Sequence, residues 1–120
     1  MDGYALAAAL NELQLSGMRF RATAFTPSAS NHAGSECQGV QVHVTYRDAF
    51  RPVEMALHLL VAARCLSGDA WMWNPHFDRL AGGSDLRSAL EAGKPVAEIL
   101  TAWEESISTF LRKRETYLLY

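Results

Sequence analysis

The sequence is short of most features that would assign a chemistry at sight. It has two cysteines, Cys37 and Cys65, in 120 residues, too few for a disulfide-stapled secreted scaffold, so free thiols are expected. The four histidines, at 32, 43, 58 and 76, share no close ligand spacing, and neither a metal site nor a cofactor is expected. Charge of one sign is missing as well: 11 basic and 13 acidic side chains give a net charge of −2. Nucleic acid and anionic lipid are therefore not expected partners. The longest apolar run, Ala56 to Ala63, is broken by His58 and falls far short of the roughly 20 residues that cross a bilayer. The opening Met-Asp-Gly-Tyr places an acid where a secretory signal carries positive charge, so it is not read as a leader. Gly82-Gly83-Ser84 precedes a helix but lacks the spacing of either nucleotide-binding fingerprint.

What is present is an ordinary globular composition, 49% hydrophobic and 20% charged, at the length of about one domain. Leu6, Leu10 and Leu13 recur at helical spacing behind Asp2 as a cap, predicting a helix over 3–15. From Met18 the period becomes two. Met18, Phe20, Ala22 and Ala24 form one face and Arg19, Arg21 and Thr23 the other, and the pattern repeats at 39–45 with Val40, Val42 and Val44 against Gln41, His43 and Thr45. Between these strands, 26–38 is a long irregular loop holding His32 and Cys37. A helix over 52–66 is apolar around most of its circumference and reads as the central packing element. Trp71, Trp73 and Phe77 follow without a period. Ser84 is read as the cap of a short helix ending near Gly93, and Pro95 opens the longest helix, striped by Val96, Ile99, Leu100, Trp103, Ile107, Phe110 and Leu111. The apolar end at 117–120 reads as docked, as an edge strand. The whole is predicted to be α+β: a small antiparallel sheet of two or three strands packed against about four helices, in a single domain over 1–120.

The polar strand faces are the most informative feature. If the strands pair, Arg19 and Arg21 lie beside Gln41 and His43, beneath the loop that carries His32, as one wall of a cleft would. A solvent-facing sheet with no ligand gives the same pattern. Cys37 with His32 or His43 would make a nucleophile and base, but no orienting third group is identifiable. Glycoside hydrolysis needs two carboxylates set across a cleft, and nothing singles out two of the 13 acids.

Two segments together resemble a known family. His32-Ala33-Gly34, Cys37, Gly39 to Thr45, Arg47 and Ala49 to Val53 are similar to the central signature of the NamZ-type peptidoglycan exo-β-N-acetylmuramidases. Phe77 to Gly82, Leu86-Arg87, Leu90 to Gly93, Ile99, Trp103-Glu104, Phe110, Arg114 and Tyr117 to Tyr120 are similar to its C-terminal signature, and Asp2 to Leu6 to the start of its C-terminal domain. Asn31 stands where that family has lysine, and Tyr46 where it has aspartate.

The resemblance implies a missing Rossmann-like N-terminal domain that carries the catalytic carboxylates, with peptidoglycan fragments bound between the two domains. The present chain would supply one wall, through His32, Gln41 and His43 with Arg19 and Arg21, and would be inactive alone. The alternative is a stand-alone interaction module, self-associating through the apolar surface that the missing domain leaves open.

Overall fold

The computed structural model describes residues 1–29 and 31–119. In it the Asp2 carboxylate accepts from the backbone N–H of Tyr4 at 2.8 Å and of Ala5 at 3.3 Å, satisfying two of the four donors a helix start leaves unpaired. α1 runs Gly3–Glu12. It stops short of residue 15 because the backbone turns left-handed at Gln14 (φ 51°) and again at Gly17 (φ 75°). The chain then enters β1 (Met18–Phe25), which pairs antiparallel with β2 (Cys37–Val44). This reversal depends on Gly17. Its carbonyl accepts from the N–H of Thr45 at 2.8 Å and of Tyr46 at 3.2 Å, and a Cβ there would collide with the Tyr46 carbonyl oxygen. Glycine alone combines that φ with that proximity.

Contacts gather into two compact units, 1–72 and 73–120. In the first, α1 lies on the apolar face of the hairpin. Leu6, Ala7 and Leu10 join Met18 and Phe20 in a buried cluster, with Ala22, Val40 and Val42 packed against it from the sheet. Met55, Leu59 and Ala62 close the cluster from α2 (Pro52–Ser67). α1, and not α2 as the apolar circumference suggested, is therefore the central element. Leu57 is fully buried on α2, whereas Val53 and Val61 stand 56% and 37% exposed. An all-round apolar pattern says that every face can be buried, and the chain covers one side. α1 approaches the sheet closely because residue 3 is glycine: a Cβ there would sit 2.7 Å from the Gly39 carbonyl oxygen.

The free edge of β1 is partly occupied by a side chain. Asn11 Nδ2 donates to the Phe20 carbonyl at 2.8 Å and its Oδ1 accepts from the Phe20 N–H at 3.0 Å. The amide thus does at one residue what a third strand would do.

The second unit is helical: α3 (Phe77–Ala81), α4 (Asp85–Glu91) and α5 (Val96–Glu115). α3 escaped sequence reading because five residues are too few to show a period. Trp73 and Phe77 pack against each other at its start, with ring centroids 4.6 Å apart and planes tilted by 48°. α3 and α4 are fastened by Arg87, whose Nε and Nη2 each reach the Asp78 carboxylate at 2.9 Å, while Nη1 reaches Glu91 at 3.3 Å. Ser84 precedes α4 but makes no side-chain cap bond, since its own backbone is already helical. Leu90, Val96 and Ile99 are buried, and from Glu104 onward every described residue is exposed. The end of the chain is not an edge strand as far as residue 119. Tyr117 and Leu119 are 76% and 94% exposed, and Tyr120 lies outside the described residues.

The fold is α+β, a two-stranded antiparallel sheet with four helices of seven residues or more and the short α3, among the described residues. Among those residues no helix is long and apolar enough to cross a membrane.

Candidate functional site

Strand alternation assigns the faces. Because Met18 and Phe20 point into the core, Arg19 and Arg21 must point away from it. The register sets Arg19 opposite His43 and Arg21 opposite Gln41, and all four side chains are exposed. Neighbours on one face of a strand are about 6.7 Å apart, so two guanidinium groups and an imidazole share two consecutive rungs containing no acid.

Both arginines are held by neutral acceptors. Arg21 Nη2 donates to Gln41 Oε1 at 2.7 Å, and Arg19 Nη1 donates to the Met18 carbonyl at 3.3 Å. The ion pairs among the described residues lie elsewhere, at Arg87 with Asp78 and Glu91 and at Lys94 with Glu98. An open depression lined by Gln14, Ser16, Gly17, Arg19 and Thr45 adjoins the Arg19 end of the face. Gln14 and Ser16 carried no signal in the sequence, because they sit in a reversal with no period.

His32 stands apart from these four. It sits exposed in the loop between the strands, with φ 63°, and the loop is pinned by Gly34 N–H donating to the Pro27 carbonyl at 2.8 Å. β2 begins at Cys37, so His43 lies six residues further along the strand, roughly 20 Å from the loop end.

The loop is also shorter than the sequence suggested, since Cys37 and Gln38 belong to the ladder opposite Phe25 and Ala24. Gln38 Oε1 accepts from the Gly3 N–H at 3.1 Å, tying β2 to the start of α1. The Cys37 thiol donates to the Ser35 carbonyl at 3.6 Å and sits at the opposite end of the strand from His43, so these two form no nucleophile and base pair. Cys37 and Cys65 are separate free thiols. Among the described residues no three His, Cys, Asp or Glu side chains gather as a metal site requires.

Several carboxylates have structural duties. Asp2 caps α1, and Glu98 pairs with Lys94. The hydrogen bond from Arg87, aided by its charge, holds the Asp78 carboxyl below the usual range against a smaller opposing effect of desolvation. That is the opposite direction from the raised pKa a glycosidase acid requires.

Fold and site together define a small α+β domain that presents a cationic sheet surface. Over residues 1–120 the chain matches the family described as exo-β-N-acetylmuramidase NamZ, C-terminal, and it belongs to that family. It is 37% identical over 113 residues to the peptidoglycan β-N-acetylmuramidase NamZ of Bacillus subtilis (strain 168), a match covering 92% of this chain and 27% of that protein. A DUF1343 family protein from Bacteroides fragilis NCTC 9343 shares the fold, with a TM-score of 0.88 and 24% identity over all of this chain and 33% of that one. The chain thus spans about a quarter to a third of the length of these relatives.

Proposed function

We propose that this chain acts as the C-terminal auxiliary domain of a peptidoglycan exo-β-N-acetylmuramidase in bacterial cell-wall recycling. In this reading it forms one wall of a substrate cleft against a larger Rossmann-like N-terminal domain and does not hydrolyse substrate by itself. The observation that carries the reading is the family match over residues 1–120 together with the 27% share of the Bacillus relative that the match covers. A further feature supports it: the arginine-bearing sheet face.

The test is a chimera in which residues 1–120 replace the matched segment of the Bacillus relative, assayed on a chromogenic N-acetylmuramic acid glycoside beside the isolated chain. Turnover by the chimera and none by the chain is the expected result. A folded but inactive chimera would overturn the reading, as would turnover by the chain alone that is lost on replacing one of its own carboxylates.

A second reading, a self-associating interaction module, is favoured by one observation: Ile107, Phe110 and Leu111 on α5 are 52%, 62% and 45% exposed. Apolar side chains gathered along one exposed helix face suit a partner surface. Sedimentation over a range of concentrations separates the readings, a strict monomer counting against this one.

A further inference from the structure

We infer that the exposed rungs Arg19–His43 and Arg21–Gln41 form a carboxylate-binding face, which takes the acid group of a muramic acid residue or of the peptide attached to it. The inference rests on the proposed function and adds the chemistry that this wall of the cleft would recognise.

Three observations lead to it. The register places two arginines on one strand face, separated by a single inward-pointing residue, with a histidine and a glutamine opposite them. Like charges at that spacing repel in the absence of an anion and are relieved by one. Neither arginine has an acidic partner among the described residues, whereas Arg87 and Lys94 both do. Finally, Arg21 is oriented rather than neutralised: Gln41 Oε1 takes one guanidinium N–H at 2.7 Å and leaves the other donors and the full charge available.

A guanidinium presents its donors as a planar fork that matches a carboxylate in two parallel hydrogen bonds. Arg21 is set to make such a pair, with Arg19 as the second cation and a ring N–H of His43 as a further donor. The depression beside Arg19, lined by Ser16, Gly17 and Thr45, gives the neutral part of a sugar a place to rest.

The substrate class named by the Bacillus relative carries the matching group. N-acetylmuramic acid differs from N-acetylglucosamine by a lactyl ether that ends in a carboxylate. A carboxylate can also come from the peptide stem, and in a muramyl dipeptide the lactyl carboxyl is consumed as an amide while the peptide supplies one free carboxyl at its far end. An exo-acting enzyme that must tell one amino sugar from the other would use the charged group to do so, because a missing carboxylate leaves the arginine fork unpaired.

The experiment is a two-dimensional amide NMR titration of the 120-residue chain with N-acetylmuramic acid, N-acetylglucosamine and muramyl dipeptide. Binding of N-acetylmuramic acid is expected to shift the amides of residues 19, 21, 41 and 43, with N-acetylglucosamine at least about tenfold weaker. Muramyl dipeptide weaker than the free acid assigns the site to the lactyl carboxylate; equal or tighter binding assigns it to the stem. An Arg19→Gln/Arg21→Gln double variant is expected to lose the preference over N-acetylglucosamine, and Arg21→Lys to keep part of it. Both variants alter outward side chains, and unchanged spectra away from the face verify that they fold.

Equal response to the two sugars, no response to any of the three, or an unchanged preference in the double variant overturns the inference. The chimera separates this failure from failure of the functional reading: an active chimera unaffected by Arg19→Gln/Arg21→Gln removes the carboxylate face alone, and an inactive one removes both.

Discussion

In the first unit, the ten residues of α1 hold Leu6 and Leu10 at 2% and 0% exposure; in the second, the twenty residues of α5 leave Ile107 at 52% and Phe110 at 62%. The longer helix has the longer apolar stripe. The difference lies in what surrounds each one. α1 has the hairpin and residues of α2 packed around a single cluster, whereas burial on α5 is confined to Val96 and Ile99 near its start. An amphipathic period records that a face is suited to burial and is silent about whether this stretch of chain provides the cover. α2 makes the same point within the first unit, where Leu57 is buried and Val53 is not.

The largest expected effect strikes the centre of the first unit. Leu10→Ala should destabilise it by about 3 kcal/mol, since truncating a fully enclosed leucine removes apolar burial and leaves a cavity. Chemical denaturation followed by tryptophan-independent far-UV signal measures this, and a loss under about 1 kcal/mol would contradict α1 as the packing centre. Next comes Gly17→Ala, expected to cost about 1–3 kcal/mol because it combines a left-handed φ with a collision against backbone. The same change at Gly93, where φ is also positive but nothing stands within 4 Å of a new Cβ, should cost less. Equal losses at the two glycines would mean that conformation alone, and not contact with Tyr46, governs position 17.

Much of the first unit was legible in the sequence because its rules are local. The period of two in Arg19 to Thr23 and Val40 to Val44 gave both strands and both faces, and pairing of the strands brought Arg19, Arg21, Gln41 and His43 together as the pattern required. Asp2 acts as the cap its position suggested. Other features depend on distant parts of the chain. The Asn11 clamp on Phe20 and the Gln38 bond to Gly3 link residues that no period relates. The separation of His32 from His43 follows from where the ladder ends, at Cys37, two residues earlier than the valine alternation marked. Within the second unit, the five-residue α3 and the exposed end of the chain lay beyond any periodic signal.

A smaller effect distinguishes the units by pH. Arg87 lowers the pKa of Asp78, so the contribution of this pair is fully present above the ordinary carboxylate range and is lost as pH falls through the depressed value. Acid should therefore loosen the junction of α3 and α4, and Arg87→Gln should remove that part of the pH dependence. Carbon-detected NMR titration of the Asp78 carboxyl is the direct measurement. A midpoint at or above the ordinary aspartate value would mean that the bidentate contact does not persist in solution.

The smallest effect on stability is expected where the contrast between α1 and α5 is sharpest. Phe110→Ser places a hydroxyl on a side chain position that is 62% exposed, so the folded state gives up little burial and the change should stay within about 0.5 kcal/mol. Serine is a weaker helix former than leucine and close to phenylalanine, which leaves helix propensity nearly constant. The pattern that would break the comparison is a loss approaching that of Leu10→Ala, because such a loss requires Phe110 to be enclosed in solution. If that loss grew with protein concentration, the cover would be a second copy of the chain. A loss independent of concentration would place the cover within a single chain, and α5 would then resemble α1 after all.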